Sequence, residues 1–316
     1  MDREQATRDC TAVVDAIGEA VISDREFLET VLTGLVARGH ILLEDVPGTG
    51  KTLTARSMAT ALGLSFSRIQ FTPDLLPADV TGTYVFNEQD REFEFRPGPV
   101  FNNVVLADEI NRAPPKTQSA LLEAMEEQQV SVDGDTHELP EPFFVIATQN
   151  PVEQEGTFAL PEAQIDRFMV KTSLGYPDFD GELTLLRRRN DRSARSPSVA
   201  SVLSAEQVLD LQTVPESVRV DDDLMRYALE ITRATRQDYR VAIGVSPRGS
   251  QRLFEAARSR AVLDGEDFVT PDMIKRIARP VLAHRLVLTA VAQVNDVNKY
   301  EVIDDVLDDT PVPTVN

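Results

Sequence analysis

Several groups of residues in this chain have the types and spacing to handle a phosphate anhydride. The first is Asp45-Val46-Pro47-Gly48-Thr49-Gly50-Lys51-Thr52, preceded by the apolar run Ile41-Leu42-Leu43 and followed by a helical pattern from Leu53. Glycines let successive backbone N–H groups turn inward around phosphate oxygens. Lys51 supplies a cation for the β- and γ-phosphates, the Thr52 hydroxyl suits Mg²⁺, and a helix starting here directs its positive dipole end at the anion. Residues Asp45 to Leu53 are therefore the candidate nucleotide-binding set, with ATP and Mg²⁺ as the expected cofactors. One position departs from the pattern G-x-x-x-x-G-K-[ST]: Asp45 stands where the first glycine belongs.

The second group is Asp108-Glu109, which ends the apolar run Val104-Val105-Leu106-Ala107. Ligands of a parallel sheet sit outside the C-terminal ends of its strands. That puts the loop, the acidic pair and Asn150, which follows Phe143 to Ala147, along one rim. There Asp108 would hold Mg²⁺ through water, and Glu109 would act as general base toward the attacking water. Asn150 reads either as a hydrogen-bond donor to the γ-phosphate or as a turn residue before Pro151. Two arginines complete the set. Ser246-Pro247 is a helix start, so Arg248 lies in a first turn, where a cation opposes the helix dipole by ~0.3–1 kcal/mol. An anionic partner would explain it; a loose surface arginine is the other reading. Arg167 could reach a neighbouring subunit's phosphate, although the residues alone favour an ion pair within the chain.

The elements that must position these groups read as follows. Residues 4–38 give two amphipathic helices, the second capped by Asp24. Helix 51–62, closed by Gly63, leads to strand 65–71. Hairpins are expected at 84–96 and at 129–139, the latter turning at Asp133-Gly134. Between them Pro114-Pro115 opens a helix. A Gly156-containing loop, a helix from Pro161, strand 168–174 and helix 178–191 follow. Strands alternating with helices predict an α/β fold with a five-stranded parallel sheet flanked by helices. Residues 192–202 read as a linker, and 203–290 as an all-helical lid, with a Ser204/Gln207 capping box and a last helix from Thr270-Pro271 through about Leu288. Residues 291–316 read as an acidic tail that frays from Asp304.

At 316 residues the chain can bury a sizeable core, and its 42% apolar content is that of a globular protein. No apolar run approaches the ~18 residues of a membrane span, and the start lacks a signal pattern, so no membrane insertion and a cytoplasmic location are expected. Cys10 is alone, and His40, His137 and His284 have no ligand spacing. The formal charge is −20, and Lys51, Lys116, Lys171, Lys275 and Lys299 are the only lysines. Such a surface suits solubility in high salt, where repulsion is screened. A halophilic source is therefore expected; greater stability in dilute buffer than in molar KCl would refute it.

Taken in order, these motifs resemble the MoxR family of AAA+ ATPases. The matching segments are Glu44 to Thr52, Phe71-Thr72-Pro73-Asp74-Leu75-Leu76-Pro77, Phe93 to Pro99, Leu106 to Lys116, Ala147 to Pro151, Leu160 to Phe168 and Ser246-Pro247-Arg248. Asp45 at the first-glycine position resembles family usage. The resemblance implies that 84–96 is the insert marking one AAA+ branch, that 129–139 is the pre-sensor hairpin, and that Asn150, Arg167 and Arg248 are sensor 1, arginine finger and sensor 2. It further implies a homo-oligomeric ring, usually a hexamer, a protein client, and a partner carrying a von Willebrand factor A domain. The implied activity is ATP hydrolysis driving chaperone-like remodelling, complex maturation or metal-cofactor insertion; a chelatase-type subunit is the alternative. A nucleic-acid motor is disfavoured, because residues 129–141 carry Asp133, Asp135, Glu138 and Glu141 and no Lys or Arg.

Overall fold

The computed structural model describes residues 1–151, 157–191 and 197–313. The expected loop around Gly156 and the first part of the linker, 192–196, lie outside the described residues. Helices α1 (Arg3–Ala20) and α2 (Arg25–Val36) start at Asp2 and Asp24, whose carboxylates accept from the N–H groups of Gln5 and Glu26. Then come β1 (Ile41–Glu44), α3 (Lys51–Ala61), β2 (Phe66–Gln70), the short α4 (Pro77–Thr81), hairpin β3/β4 (Gly82–Asn87, Glu92–Pro97) and β5 (Val104–Asp108). Helix α5 (Pro115–Glu127) leads into hairpin β6/β7 (Gln129–Val132, Asp135–Glu138) and β8 (Phe144–Gln149). A single turn, α6 (Glu162–Ile165), precedes β9 (Val170–Thr172) and α7 (Phe179–Asp191).

Five of these strands form one parallel sheet in the order β2-β5-β8-β1-β9. Its faces are set by alternation along buried strands. Ile41, Leu43, Val104, Leu106, Phe144 and Ile146 face one core, whereas Leu42, Val105, Ala107, Val145 and Ala147 face the other. The second core holds α5 and the segment after β2. The first takes in α1 and α2 and continues without a break into the C-terminal helices.

Those helices are α8 (Ala205–Leu211), α9 (Asp222–Ala234), α10 (Pro247–Asp264), α11 (Pro271–Leu282), α12 (Ala290–Val294) and α13 (Lys299–Asp309), with a small ribbon of β10 (Val241–Ile243) and β11 (Val287–Leu288). The Ser204/Gln207 capping box forms as read from the sequence. The lid is bound to α2 through Arg260, whose buried guanidinium pairs with Glu26, Glu29 and Asp264.

Two expectations need correction. The helix from Thr270 ends at Leu282 rather than near Leu288, because the chain turns there and Val287 pairs with Ile243. The stretch from Asp304 does not fray. Val302, Ile303, Val306 and Leu307 sit on one face of α13 and are buried, while Asp304 and Asp305 pair with Arg279 and Arg240. Acidic and proline content drew attention there, but the helical spacing of four apolar residues decided the outcome. Among the described residues no helix is long and apolar enough to cross a membrane.

Candidate active site

The loop between β1 and α3 is shaped by Gly48 and Gly50, at φ +91° and +103°. Both values lie where an L side chain is strained, and a Cβ built on Gly48 would meet nothing within 4 Å, so the loop borders open space. Helix α3 begins at Lys51, directing its first N–H groups into that space. The Lys51 ammonium lies across the loop, donating to the carbonyls of Asp45 and Val46 at 2.8 Å each.

Asp45 belongs to the candidate nucleotide-binding set by its place in the loop, but its carboxylate is engaged within the chain. It is buried and accepts hydrogen bonds from Leu174 N (2.6 Å), Gly175 N (2.9 Å) and Ser173 Oγ (3.2 Å). A glycine could not make these bonds, which tie the loop to the end of the edge strand β9. Beside them opens a cavity of about 470 Å³, lined by Asp24, Phe27, Thr30, Ser173, Leu174 and Tyr300 among others. Leu174 also lies 3.7 Å from where a Cβ on Gly50 would sit, so this cavity adjoins the loop.

Strand β8 lies between β1 and β5, so the loop, Asn150 and Asp108-Glu109 leave three adjacent strands at the same end of the sheet. At 4.7–4.9 Å per strand, β1 and β5 are about 10 Å apart. The Asp108 carboxylate accepts from Thr148 Oγ1 (2.7 Å) on one oxygen and from Arg68 Nη2 (2.6 Å) and Nε (3.1 Å) on the other. Glu109 adopts φ +58°, a left-handed conformation that costs a non-glycine residue about 1 kcal/mol or more. Its N–H donates to Thr148 Oγ1 at 2.9 Å, which helps hold that turn. Its carboxylate accepts from Gln70 Nε2 (2.7 Å) and pairs with Arg112 (3.1 Å). Asn150 is buried directly beyond β8. Sequence reading missed Arg68, Gln70 and Thr148. The usable signal was register: Gln70 pairs with Asp108 across β2 and β5, so these side chains share the rim.

These donors suit a Mg²⁺-bound triphosphate. Thr52 and Asp108 offer hard oxygen ligands in small number, and Mg²⁺ keeps several waters and takes phosphate oxygens for the rest. Among the described residues no group of three or more His, Cys, Asp or Glu side chains forms a closed metal site.

The two arginines are elsewhere. Arg167 precedes β9, and the N–H of Met169 donates to the carbonyl of His40, at the start of β1. Arg167 Nη1 donates to Leu122 O (2.7 Å), and Nη2 pairs with Glu126 (2.9 Å). Arg248 pairs with the other oxygen of Glu126 at 3.2 Å. The backbone of α5 is anchored at the same end, where His40 Nε2 bonds Met125 O at 3.0 Å. Both arginines therefore gather at the N-terminal end of the sheet. The length of β1, roughly 13 Å at 3.3 Å per residue, separates them from the start of the phosphate loop.

A sequence profile described as the ATPase family associated with various cellular activities (AAA) matches residues 40–170, and the AAA lid domain profile matches 233–306. YeaC of Bacillus subtilis is 48% identical over 95% of this chain and 93% of its own. Chaperone MoxR1 of Mycobacterium tuberculosis is 42% identical over 94% and 80%. This chain belongs to the MoxR family of AAA+ ATPases. MoxR of Paracoccus denitrificans is 31% identical over 89% and 88%. A crystal structure from Cytophaga hutchinsonii superposes with a TM-score of 0.91, at 38% identity over 99% of this chain and 97% of that one. Membership makes the chain a nucleotide-binding enzyme that hydrolyses ATP.

Proposed function

We propose that this ATPase works as a closed ring, six chains being the expected number, in which each chain's phosphate loop faces the Arg167–Arg248 end of the next. The observation that carries this reading is the separation of those arginines from their own loop by the length of the sheet, together with their convergence on Glu126. Their side chains are 29% and 37% exposed, so both can reach outward.

In this reading the loop amides and Lys51 bind the phosphates, and the cavity beside Leu174 receives the base. Thr52 and Asp108 would hold Mg²⁺, which would supply neutralisation of the phosphate charge. Glu109 takes the proton of the attacking water, Thr148 fixes the turn that aims it, and Asn150 hydrogen-bonds the γ-phosphate or that water. Arg167 and Arg248 of the adjacent chain stabilise the charge that develops in transfer.

The work done is remodelling of protein assemblies, in line with the Mycobacterium tuberculosis relative, which is named a chaperone, with a von Willebrand factor A domain protein as the expected partner. The hairpins support a protein client. Phe86 and Phe93 are exposed as an aromatic pair with ring centroids 5.3 Å apart, among Glu88, Asp90, Glu92 and Glu94. Such a surface would repel a phosphate backbone.

Mixing tests the ring. Arg167→Ala chains and Lys51→Ala chains should each be inactive alone. Mixed, an Arg167→Ala loop can face an intact arginine from a Lys51→Ala neighbour, and part of the ATPase rate should return. Full activity of Arg167→Ala alone, or no recovery at any ratio, would refute the shared site.

A further inference from the structure

The lid reaches back into the nucleotide domain at one buried point beside the two arginines. Arg285 lies in the 3₁₀ turn after α11, with its side chain 1% exposed. Its Nε donates to the Asp166 carboxylate at 2.8 Å. Nη2 donates to the carbonyls of Phe168 (2.7 Å) and Asp166 (3.2 Å), and Nη1 to that of Met169 (3.4 Å). Nη1 also donates to the carbonyl of Val281, within the lid. One guanidinium thus grips the chain on both sides of Arg167. Burial lowers its pKa to about 10, which leaves it charged at neutral pH, and a planar five-donor group suits such a set of acceptors.

The same side chain bears on the other arginine. Gly249 follows Arg248 in the first turn of α10, and a Cβ built on it would lie 2.9 Å from Arg285 Cδ and 2.5 Å from a Val245 methyl. Its φ is not in the left-handed region, so the glycine is required by close approach and not by backbone conformation. The start of α10 therefore rests directly on the stem of Arg285, while the head of Arg285 holds Asp166, Phe168 and Met169.

We infer that Arg285 is a positioning residue that fixes Arg167 and Arg248 relative to one another across the boundary between nucleotide domain and lid, so that both meet the neighbouring chain's triphosphate as one unit. The inference rests on the shared-site reading above. It makes the lid part of the machinery that serves the next chain's nucleotide: a shift of α10 is carried through Arg285 to the segment bearing Arg167.

The test compares Arg285→Lys and Gly249→Ala with Arg167→Ala and Arg248→Ala in one mixing series. Lysine keeps the charge but cannot fork to four carbonyls and a carboxylate. Alanine leaves every charge in place and pushes on the Arg285 stem, and it serves where the lysine variant does not fold. For both variants the expected result is unchanged affinity for a fluorescent ATP analogue, kcat reduced tenfold or more, and recovery on mixing with Lys51→Ala chains, whose arginine end is intact. Near-normal kcat in both would overturn the inference, as would a loss that Lys51→Ala chains do not restore, since that marks a general packing defect. If Arg167→Ala and Arg248→Ala themselves turn over normally, the shared site fails and the inference with it. If those two are deficient and rescued while the Arg285 and Gly249 variants are not, Arg285 alone is wrongly assigned.

Discussion

The two ends of the five-stranded sheet are made of opposite materials. At the C-terminal end the working groups are backbone amides, two left-handed glycines, one lysine and a pair of acids around open space. At the N-terminal end they are arginine side chains held by Glu126, Asp166 and main-chain carbonyls. The first end is built for an anion to enter. The second presents cations outward from a buried support. The strands set the two ends apart, and in the ring proposed above each chain would carry two half-sites back to back. Damage at either end should stop turnover, but only damage at opposite ends should be complemented by mixing.

The sharpest break in that comparison is Glu109→Gln. Removing a general base costs about 10²–10⁴-fold in rate, and ATP binding should persist because the loop is untouched. A Glu109→Gln chain still offers its arginines, so it should complement Arg167→Ala. Near-normal hydrolysis would remove Glu109 as base, and failure to complement would place both faults in one half-site.

Acid should attack the second end through His40. Burial holds this imidazole down to about 4, against the opposing pull of its hydrogen bond to Met125 O. Its Nδ1 accepts from Val145 N at 3.1 Å, so the folded chain keeps it neutral. Below the ordinary value of 6.5 the unfolded chain takes up a proton that the folded chain refuses, and stability falls as pH drops from 6.5 toward 4. The full loss is on the order of 3 kcal/mol. Denaturant midpoints at pH 6.5 and 4.5 should show this slope, and His40→Gln should flatten it. An equal slope in the variant would assign the acid sensitivity elsewhere.

Thr148→Val tests the first end more finely. The hydroxyl donates to Asp108 and accepts from the Glu109 N–H. A methyl of similar size leaves both partners short of a bond, costing about 1–3 kcal/mol. We expect a kcat reduced tenfold or more and full complementation with Arg167→Ala. An unchanged kcat would mean that the left-handed Glu109 turn is held without Thr148.

Much of the first end was legible in the sequence, because its parts are contiguous. A glycine loop with its lysine, and acids ending an apolar run, announce themselves within a few residues. The alternation of strands with helices and the places of the two hairpins followed from the same local patterns, whereas the order of the strands in the sheet did not. Nor did Arg68, Gln70 and Arg285. Each acts across a strand register or a domain boundary, and nothing within several residues of it marks the contact. Asp45 was found as a departure from a pattern, while its bonds to residues 173–175 span more than a hundred positions. The C-terminal helix α13 was misread for the opposite reason: its charges are local and conspicuous, whereas its four buried apolar residues matter only once α11 is there to receive them.

Glu126→Gln gives the smallest expected effect and the finest separation of causes at the second end. Glu126 pairs with both arginines, but its side chain is 35% exposed, and exposed pairs contribute about 0.2–1 kcal/mol. Arg167 keeps its bond to Leu122 O without it, and the flanking backbone is still gripped by buried Arg285. If buried geometry positions the arginines, Glu126→Gln should shift stability by under about 1 kcal/mol and kcat by less than about fivefold, as read by denaturant midpoints and steady-state ATPase assays. A loss as deep as that of Arg285→Lys would reverse the ranking: the exposed carboxylate, by opposing the two like charges, would then be what holds the pair in place for the neighbouring chain.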